Sequence, residues 1–212
     1  GYEREGFGDG RGASDFGPDK QNPFLTQNER FRLATGIDAP LVGDPGDAYQ
    51  SSHTNQHVSK KSVGLYDHEV INANFISELK WFFEVPKTGR YYAFTSIPSG
   101  GYDITVGNAR GDQTYHVMVP HVISLGEYAE TERLSIASEL VLPEATGPAR
   151  VYICEMDEAV FEEGYQRLAD EQMLVESYTD TEVLASITAR EDGLLYTSIP
   201  YEKGWRAYVD GE

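Results

Sequence analysis

From Leu79 onward, glycine and proline cut the chain at short intervals, and this punctuation constrains the fold more than any other feature of the sequence. Leu79–Val85 is an apolar and aromatic run closed by Pro86-Lys87-Thr88-Gly89; Arg90–Ile97 follows, then Pro98-Ser99-Gly100-Gly101, then Tyr102–Val106. Proline lacks a backbone donor and clashes with the preceding helical turn, so no helix of ordinary length fits between such breaks. Short runs rich in aromatic and β-branched residues between turn residues read as antiparallel strands. Gln113–Val119, the stretch holding Leu134, Ile136, Ala137, Leu140 and Leu142, and the alternating Ala149–Met156 continue the series. The 14 tyrosines, 21 glycines and 10 prolines belong to the same strand-and-turn composition.

One segment breaks the pattern. Asp157 to about Met173 reads as a helix, with Asp157 as N-cap and Glu158, Glu162 and Glu163 near the positive end of its dipole. Val160, Phe161, Tyr165, Leu168 and Gln172 fall on one face at helical spacing. That stripe is narrow, which suits a one-sided cover on a sheet. Beyond it, Leu174–Tyr178, Val183–Ala189, Leu194–Ile199 and Trp205–Val209 read as four more strands, with Asp192-Gly193 as a hairpin turn. Before Leu79 the signals are weaker. Residues 1–28 are rich in Gly, Asp and Asn and read as loop, and 31–75 is irregular around the turn Asp44-Pro45-Gly46-Asp47. The expected fold is therefore mainly β: antiparallel sheets packed as a sandwich or jelly roll, with one amphipathic helix at about 157–173 on a sheet.

Two stretches echo each other. Phe83–Ile97 with Pro98, Gly101-Tyr102 and Val106-Gly107 parallels Ile187–Ile199 with Pro200, Gly204-Trp205 and Val209-Asp210-Gly211. Each runs strand, Gly turn, a strand ending in Ser-Ile-Pro, then Gly-aromatic and a strand closing on Gly. A duplicated unit and the ordinary likeness of Gly/Pro-rich hairpins both account for this. The domain expectation is a loop-rich 1–28 followed by one β-rich domain over 29–212, with similar sub-units at about 76–145 and 146–212 if the echo is a duplication.

Charge excludes several functions. The formal net charge is −18 and the densest basic spot is Lys60-Lys61, so the field repels nucleic-acid backbones and anionic lipid. The single cysteine, Cys154, alternates into a strand as a buried residue and leaves no intrachain disulfide. No run approaches the roughly 18 apolar residues of a membrane helix. The abrupt start at Gly1 and the stop just past the turn Asp210-Gly211 read as a piece of a longer protein.

Chemistry-bearing patterns are few. His53 and His57 stand four apart, but Ser, Thr and Asn around them disfavour a helix and no third ligand follows; a surface pair is the plainer reading. Tyr66-Asp67-His68-Glu69 lacks the second histidine of a zinc helix, and Asp9–Asp19 lacks calcium-loop spacing. No serine sits in a nucleophile elbow. The sequence thus points to no catalytic residue, no metal set and no cofactor of its own. The candidate contacts are aromatic. Trp205, Tyr201 and Tyr208 stand close in sequence to Asp210, and aromatic faces beside a carboxylate suit sugar C–H faces and hydroxyls. The plainer reading makes Trp205 a core cap after Gly204.

The C-terminal third also carries a resemblance. Asp157-Glu158-Ala159-Val160-Phe161, Ala185–Ala189, and the series Ser198-Ile199-Pro200-Tyr201, Gly204-Trp205 and Val209-Asp210-Gly211 resemble the closing extracytoplasmic segment of the YfhO family of bacterial membrane proteins. Trp81–Val119 and Ser51-Ser52-His53-Thr54-Asn55 are similar to the family more loosely. The resemblance implies a domain on the extracytoplasmic side of the bacterial cell membrane, carried by a parent with many membrane helices. It implies a parent that resembles lipid-linked-sugar glycosyltransferases acting on cell-wall polymer such as lipoteichoic acid. Its implied partners are the membrane helices of the same polypeptide and a wall glycan or lipid-linked sugar, and no catalytic position transfers to this chain. The alternative is a non-enzymatic module binding wall polysaccharide or a membrane partner.

Overall fold

The fold follows from alternation. In Ser77–Glu84 the residues Ser77, Leu79, Trp81 and Phe83 are buried while Phe82 and Glu84 are exposed, the period-two pattern of a strand with one face in a core. In the computed structural model, which describes residues 22–43, 50–97, 101–140, 146–190, 195, 197, 199–200 and 202–210, ten strands precede the expected helix. They are β1 (Gln50–Thr54), β2 (Gln56–Ser62), β3 (Leu65–Val70), β4 (Ser77–Glu84), β5 (Gly89–Ser96), β6 (Tyr102–Asn108), β7 (Gly111–Val117), β8 (Val122–Tyr128), β9 (Arg133–Leu140) and β10 (Gly147–Met156). The helices are α1 (Pro23–Thr35) and α2 (Glu158–Ala169), and β11 (Leu174–Tyr178) and β12 (Val183–Ser186) follow.

The ten strands form two antiparallel five-stranded sheets. The first has the order β1-β4-β9-β6-β7 and the second β2-β3-β10-β5-β8. Leu79, Trp81 and Phe83 of β4, Ile104 and Val106 of β6 and Leu134 and Ile136 of β9 meet Tyr66 of β3, Tyr91 and Ala93 of β5 and Val151 and Ile153 of β10 in one core. This is the mainly β, antiparallel sandwich that the punctuation predicted. Consecutive strands mostly switch sheets. β4 and β5, which the sequence echo reads as a hairpin, belong to opposite sheets.

The second sheet is covered on its outer face as well. Phe24, Leu41, Val42, Phe94 and Cys154 form a second cluster, joined by Phe31, Tyr92, Tyr152 and Met156. The helix that supplies Phe24 and Phe31 is α1, in a region where sequence reading expected loop through residue 28. Its boundaries are chemically clear. The Asn22 side chain accepts from the Phe24 N–H at 3.1 Å, Pro23 opens the helix, and Gly36 closes it at φ 70. Burial on both faces explains why Tyr91–Phe94 and Val151–Cys154 read as nearly continuous apolar runs.

α2 begins where expected. Asp157 Oδ1 accepts from the Ala159 and Val160 N–H groups at 3.0 and 3.1 Å. It ends at Ala169, short of Met173. It meets α1: Gly164 lies against Phe31 and Thr35, and Arg167 Nη1 donates to Thr35 O at 3.1 Å. Phe161, Tyr165 and Leu168 of the sequence stripe stay exposed.

A second compact unit begins at Ala169. Its regular structure among the described residues is the antiparallel pair β11–β12, with Leu174 opposite Ser186 and a register shift between Val175 and Ser177. Trp205–Val209, expected as a strand, has no regular structure. A strand needs a partner for its ladder, and the backbone bond here is a turn contact from Trp205 N–H to Glu202 O at 3.1 Å. The Asp192-Gly193 turn lies outside the described residues, as does Asp44-Pro45-Gly46-Asp47.

Candidate functional site

Within the sandwich, the described residues leave the outer face of the first sheet uncovered, and register places that face residue by residue. Directly opposed residues share a side. One cross-strand row is Gln50, Phe82, Ser135, Gly107 and Asp112; the next is Ser52, Lys80, Ala137, Thr105 and Thr114; the third is Thr54, Glu78, Glu139, Asp103 and His116. Phe82 is 42% exposed on an interior strand, where its alternation partners Trp81 and Phe83 are buried. Beside it the floor is small. Ser135 and Ala137 lie on β9, and Gly107 and Thr105 on the neighbouring interior strand β6.

The floor has a defined polar wall. A Cβ on Gly107 would lie 2.8 Å from Asp112 Oδ1 and 2.8 Å from Ser135 Oγ, so these two oxygens converge over the glycine. Thr105 and Thr114 hydroxyls sit 3.0 Å apart. His116 Nδ1 lies 2.6 Å from Asp103 Oδ1, and Lys80 Nζ stands 5.5 Å from the centre of the Phe82 ring. From Phe82 to Asp112 the row crosses three strand gaps, about 14 Å. An exposed ring, a flat floor and a rim of carboxylates and hydroxyls can stack on the C–H face of a sugar and accept from its hydroxyl groups. Among the described residues no group of three or more His, Cys, Asp or Glu is placed to hold a metal ion.

The residues singled out from sequence lie elsewhere. Trp205 is 39% exposed, Tyr208 is exposed, and Asp210 sits in a turn at φ 52, all in the unit that begins at Ala169. No hydrogen bond or ring contact joins these three among the described residues, and Tyr201 lies outside them. His53 and His57 fall on β1 and β2, strands of different sheets. Phe82 was legible in principle: in Trp81-Phe82-Phe83, any strand that buries the outer two must expose the middle one.

Fold and face together define a two-sheet β-sandwich domain whose second sheet is covered by α1 and whose first sheet is uncovered among the described residues of the sandwich. A family model described as "Bacterial membrane protein YfhO" matches residues 14–212, and the chain belongs to that family. A search of curated proteins returned no match. Among solved structures, the chain is similar to the enzymatically active domain of bacteriophage CBA120 tailspike protein 4 (13% identity, TM-score 0.36), over 50% of this chain and 19% of that one. It is also similar to a family 35 carbohydrate binding module from Clostridium thermocellum (9% identity, TM-score 0.32; 50% of this chain, 92% of that one). A family 29 carbohydrate binding module from Piromyces equi shows 10% identity and a TM-score of 0.32 over 55% of this chain and 86% of that one. No described helix is long and apolar enough to cross a membrane.

Proposed function

We propose that this chain is an extracytoplasmic accessory domain of a YfhO-type membrane protein and that it holds a glycan on the outer face of the first sheet. There it presents an acceptor or a lipid-linked donor for glycosyl transfer carried out elsewhere in the longer protein. The observation that carries the reading is Phe82, an exposed ring on an interior strand, beside a floor of Ser135, Gly107 and Thr105 walled by Asp112. Core packing gives no reason for an aromatic there, whereas sugar stacking does. Membership of a bacterial membrane protein family supports the setting. The substrate class that follows is cell-wall polymer such as lipoteichoic acid, recognised through its sugars, because a net charge of −18 repels its phosphates. Trp205, Tyr201, Tyr208 and Asp210 stand as a second candidate contact.

The test is an NMR titration of the labelled chain with neutral oligosaccharides and with lipoteichoic acid fragments. Shifts should centre on Phe82, Thr105 and Ser135, and Phe82→Ala should weaken binding about tenfold, equal to about 1.4 kcal/mol. No shift at millimolar ligand refutes glycan recognition, and shifts confined to the Trp205 indole move the site to the C-terminal segment.

A further inference from the structure

Every connection that passes between the sheets next to the row Thr54, Glu78, Glu139, Asp103 and His116 leaves the sandwich at the same end. In the first sheet, the end of β1, the start of β4, the end of β9, the start of β6 and the end of β7 are in register. In the second sheet the start of β2, the end of β3, the start of β10, the end of β5 and the start of β8 are in register. The strand ends that lead into the links β1–β2, β3–β4, β5–β6, β7–β8 and β9–β10 therefore share one pole. The opposite pole holds the β2–β3, β4–β5, β6–β7 and β8–β9 turns and the start of α2.

The two poles differ in chemistry. The second carries Lys87, Arg110, Glu130, Glu132 and Asp157 in its turns. At the first, the described parts of all five links contain no Asp, Glu, Lys or Arg; Glu144 is the one such residue in the rest of their sequence. Instead two of them expose large apolar side chains. Ile71, Phe75 and Ile76 project from the β3–β4 link, and Met118 and Val119 from the β7–β8 link, with Phe75 67% and Val119 72% exposed. Each sheet places three strand gaps between the strands that bear these links, so the two apolar tips stand about 14 Å apart.

The first tip is held in place. Asn55, at φ 55, donates through Nδ2 to Asn72 O at 2.7 Å, Phe75 O at 3.1 Å and Ser77 Oγ at 3.1 Å. Its Oδ1 accepts from the Asn72 N–H at 3.0 Å, and its carbonyl accepts from the Ile71 N–H at 3.0 Å. A short loop tied to one asparagine at the Ile71 N–H, the Asn72 N–H and the Asn72 and Phe75 carbonyls loses little further entropy on contact, yet its apolar side chains face water.

We propose that this pole is a lipid-contact surface, with Ile71, Phe75 and Ile76 on one side and Met118 and Val119 on the other dipping into the interface of the bilayer. Three observations favour lipid over a protein groove or a small ligand. The apolar groups form two separated tips rather than one pocket, which suits a broad flat partner. The chain's acids are withheld from the tips, as contact with a hydrocarbon boundary requires. The acidic row starts at Glu78, two residues or about 7 Å from Ile76 along the strand, which confines contact to the interfacial layer. The same acidity sets the lipid: a zwitterionic surface is tolerated and an anionic one opposed.

The experiment places an indole at the tip. Trp81 is buried, so the chain carrying Trp205→Phe and Phe75→Trp reports from position 75 against a constant background. It is mixed with phosphatidylcholine vesicles brominated on their acyl chains, beside a control carrying Trp205→Phe and Ala109→Trp at the opposite pole. Emission of the F75W chain should fall about twofold or more while the A109W chain is unchanged, and phosphatidylglycerol should weaken the effect at low salt. Ile71→Ser with Ile76→Ser should cut vesicle affinity about tenfold at an unchanged melting temperature. Equal quenching of both indoles, or none at millimolar lipid, overturns the proposal and leaves the pole to a protein partner. Glycan binding plays no part in the readout, so this outcome is independent of the function proposed above.

Discussion

Gly164 is the residue on which the two helices meet. A Cβ there would lie 2.5 Å from Phe31 Cε2 and 3.1 Å from Thr35 Cγ2, and the ring it would strike is itself packed on the second sheet. Helix propensity alone favours alanine at an interior position by about 1 kcal/mol. Steric exclusion should outweigh it, because Phe31 cannot retreat without leaving its place against the buried cluster of Phe24, Leu41, Val42, Phe94 and Cys154. Gly164→Ala is expected to destabilise by about 1–3 kcal/mol net. Urea unfolding would show a lower midpoint at an unchanged slope, and a raised midpoint would mean that the helices part more easily than their packing implies. Asn55 has a comparable role in a loop. Asparagine tolerates the left-handed backbone, and its amide offers two donors and an acceptor to the β3–β4 link, a combination alanine or aspartate lacks.

α1 acts as a lid on Cys154. Phe24 and Phe31 close over the outer side chains of β5 and β10, where the Phe94 and Tyr152 rings stack at 6.3 Å and Cys154 is 4% exposed. Phe31→Ala should cost about 2–3 kcal/mol and loosen α1 before the sandwich yields. Because Cys154 is the chain's one thiol, its rate of labelling by a disulfide reagent reads that loosening directly: several-fold faster labelling with the sandwich still folded is the expected result. Labelling as slow as in the parent would show that the cover does not depend on this ring. The lid was hidden in the sequence for a physical reason. Apolar anchors at Phe24 and Phe31 stand seven apart among Gln, Asn, Glu and Arg, too sparse for a stripe, although Asn22-Pro23 and Gly36 mark both ends. Strands show the same division. β4, β5, β9 and β10 were legible because interior strands must alternate or run apolar. β1 and β2 are edge strands whose side chains mostly face water, so their pairing rests on backbone ladders that leave no apolar trace, and Lys60-Lys61 on β2 guards such an edge. The candidate face suffered likewise. Its floor of Gly107, Ser135 and Ala137 comes from two strands distant in sequence, and only register brings them beside Phe82.

At the scale of the whole molecule, exposed ion pairs such as Arg90–Glu127 at 2.9 Å and Arg133–Glu84 at 3.3 Å add little stability, because water screens them. The sandwich depends instead on its core, and three tyrosines make that dependence visible in alkali. Tyr91, Tyr102 and Tyr128 belong to the core, and burial pushes each phenol above its ordinary value of about 10. Glu155 adds to the rise at Tyr91, while the Thr95 hydroxyl partly offsets it at Tyr102. Tyr102 Oη donates to Thr95 O at 2.8 Å, and Tyr91 Oη to Lys87 O at 2.7 Å, so ionisation removes a bond as well as burying a charge. The sign follows from proton counting. In the folded state these groups hold protons that the unfolded chain releases near pH 10, so their contribution is intact below that pH and declines as pH rises through the raised values. Each group steepens the fall by at most about 1.4 kcal/mol per pH unit. Stability measured by urea between pH 8 and 11 should therefore drop steeply above 10. Tyr102→Phe should start lower, having lost its hydrogen bond, but fall less over the same interval. Parallel curves for the two chains would mean that the Tyr102 phenol ionises as freely in the folded sandwich as in the unfolded chain.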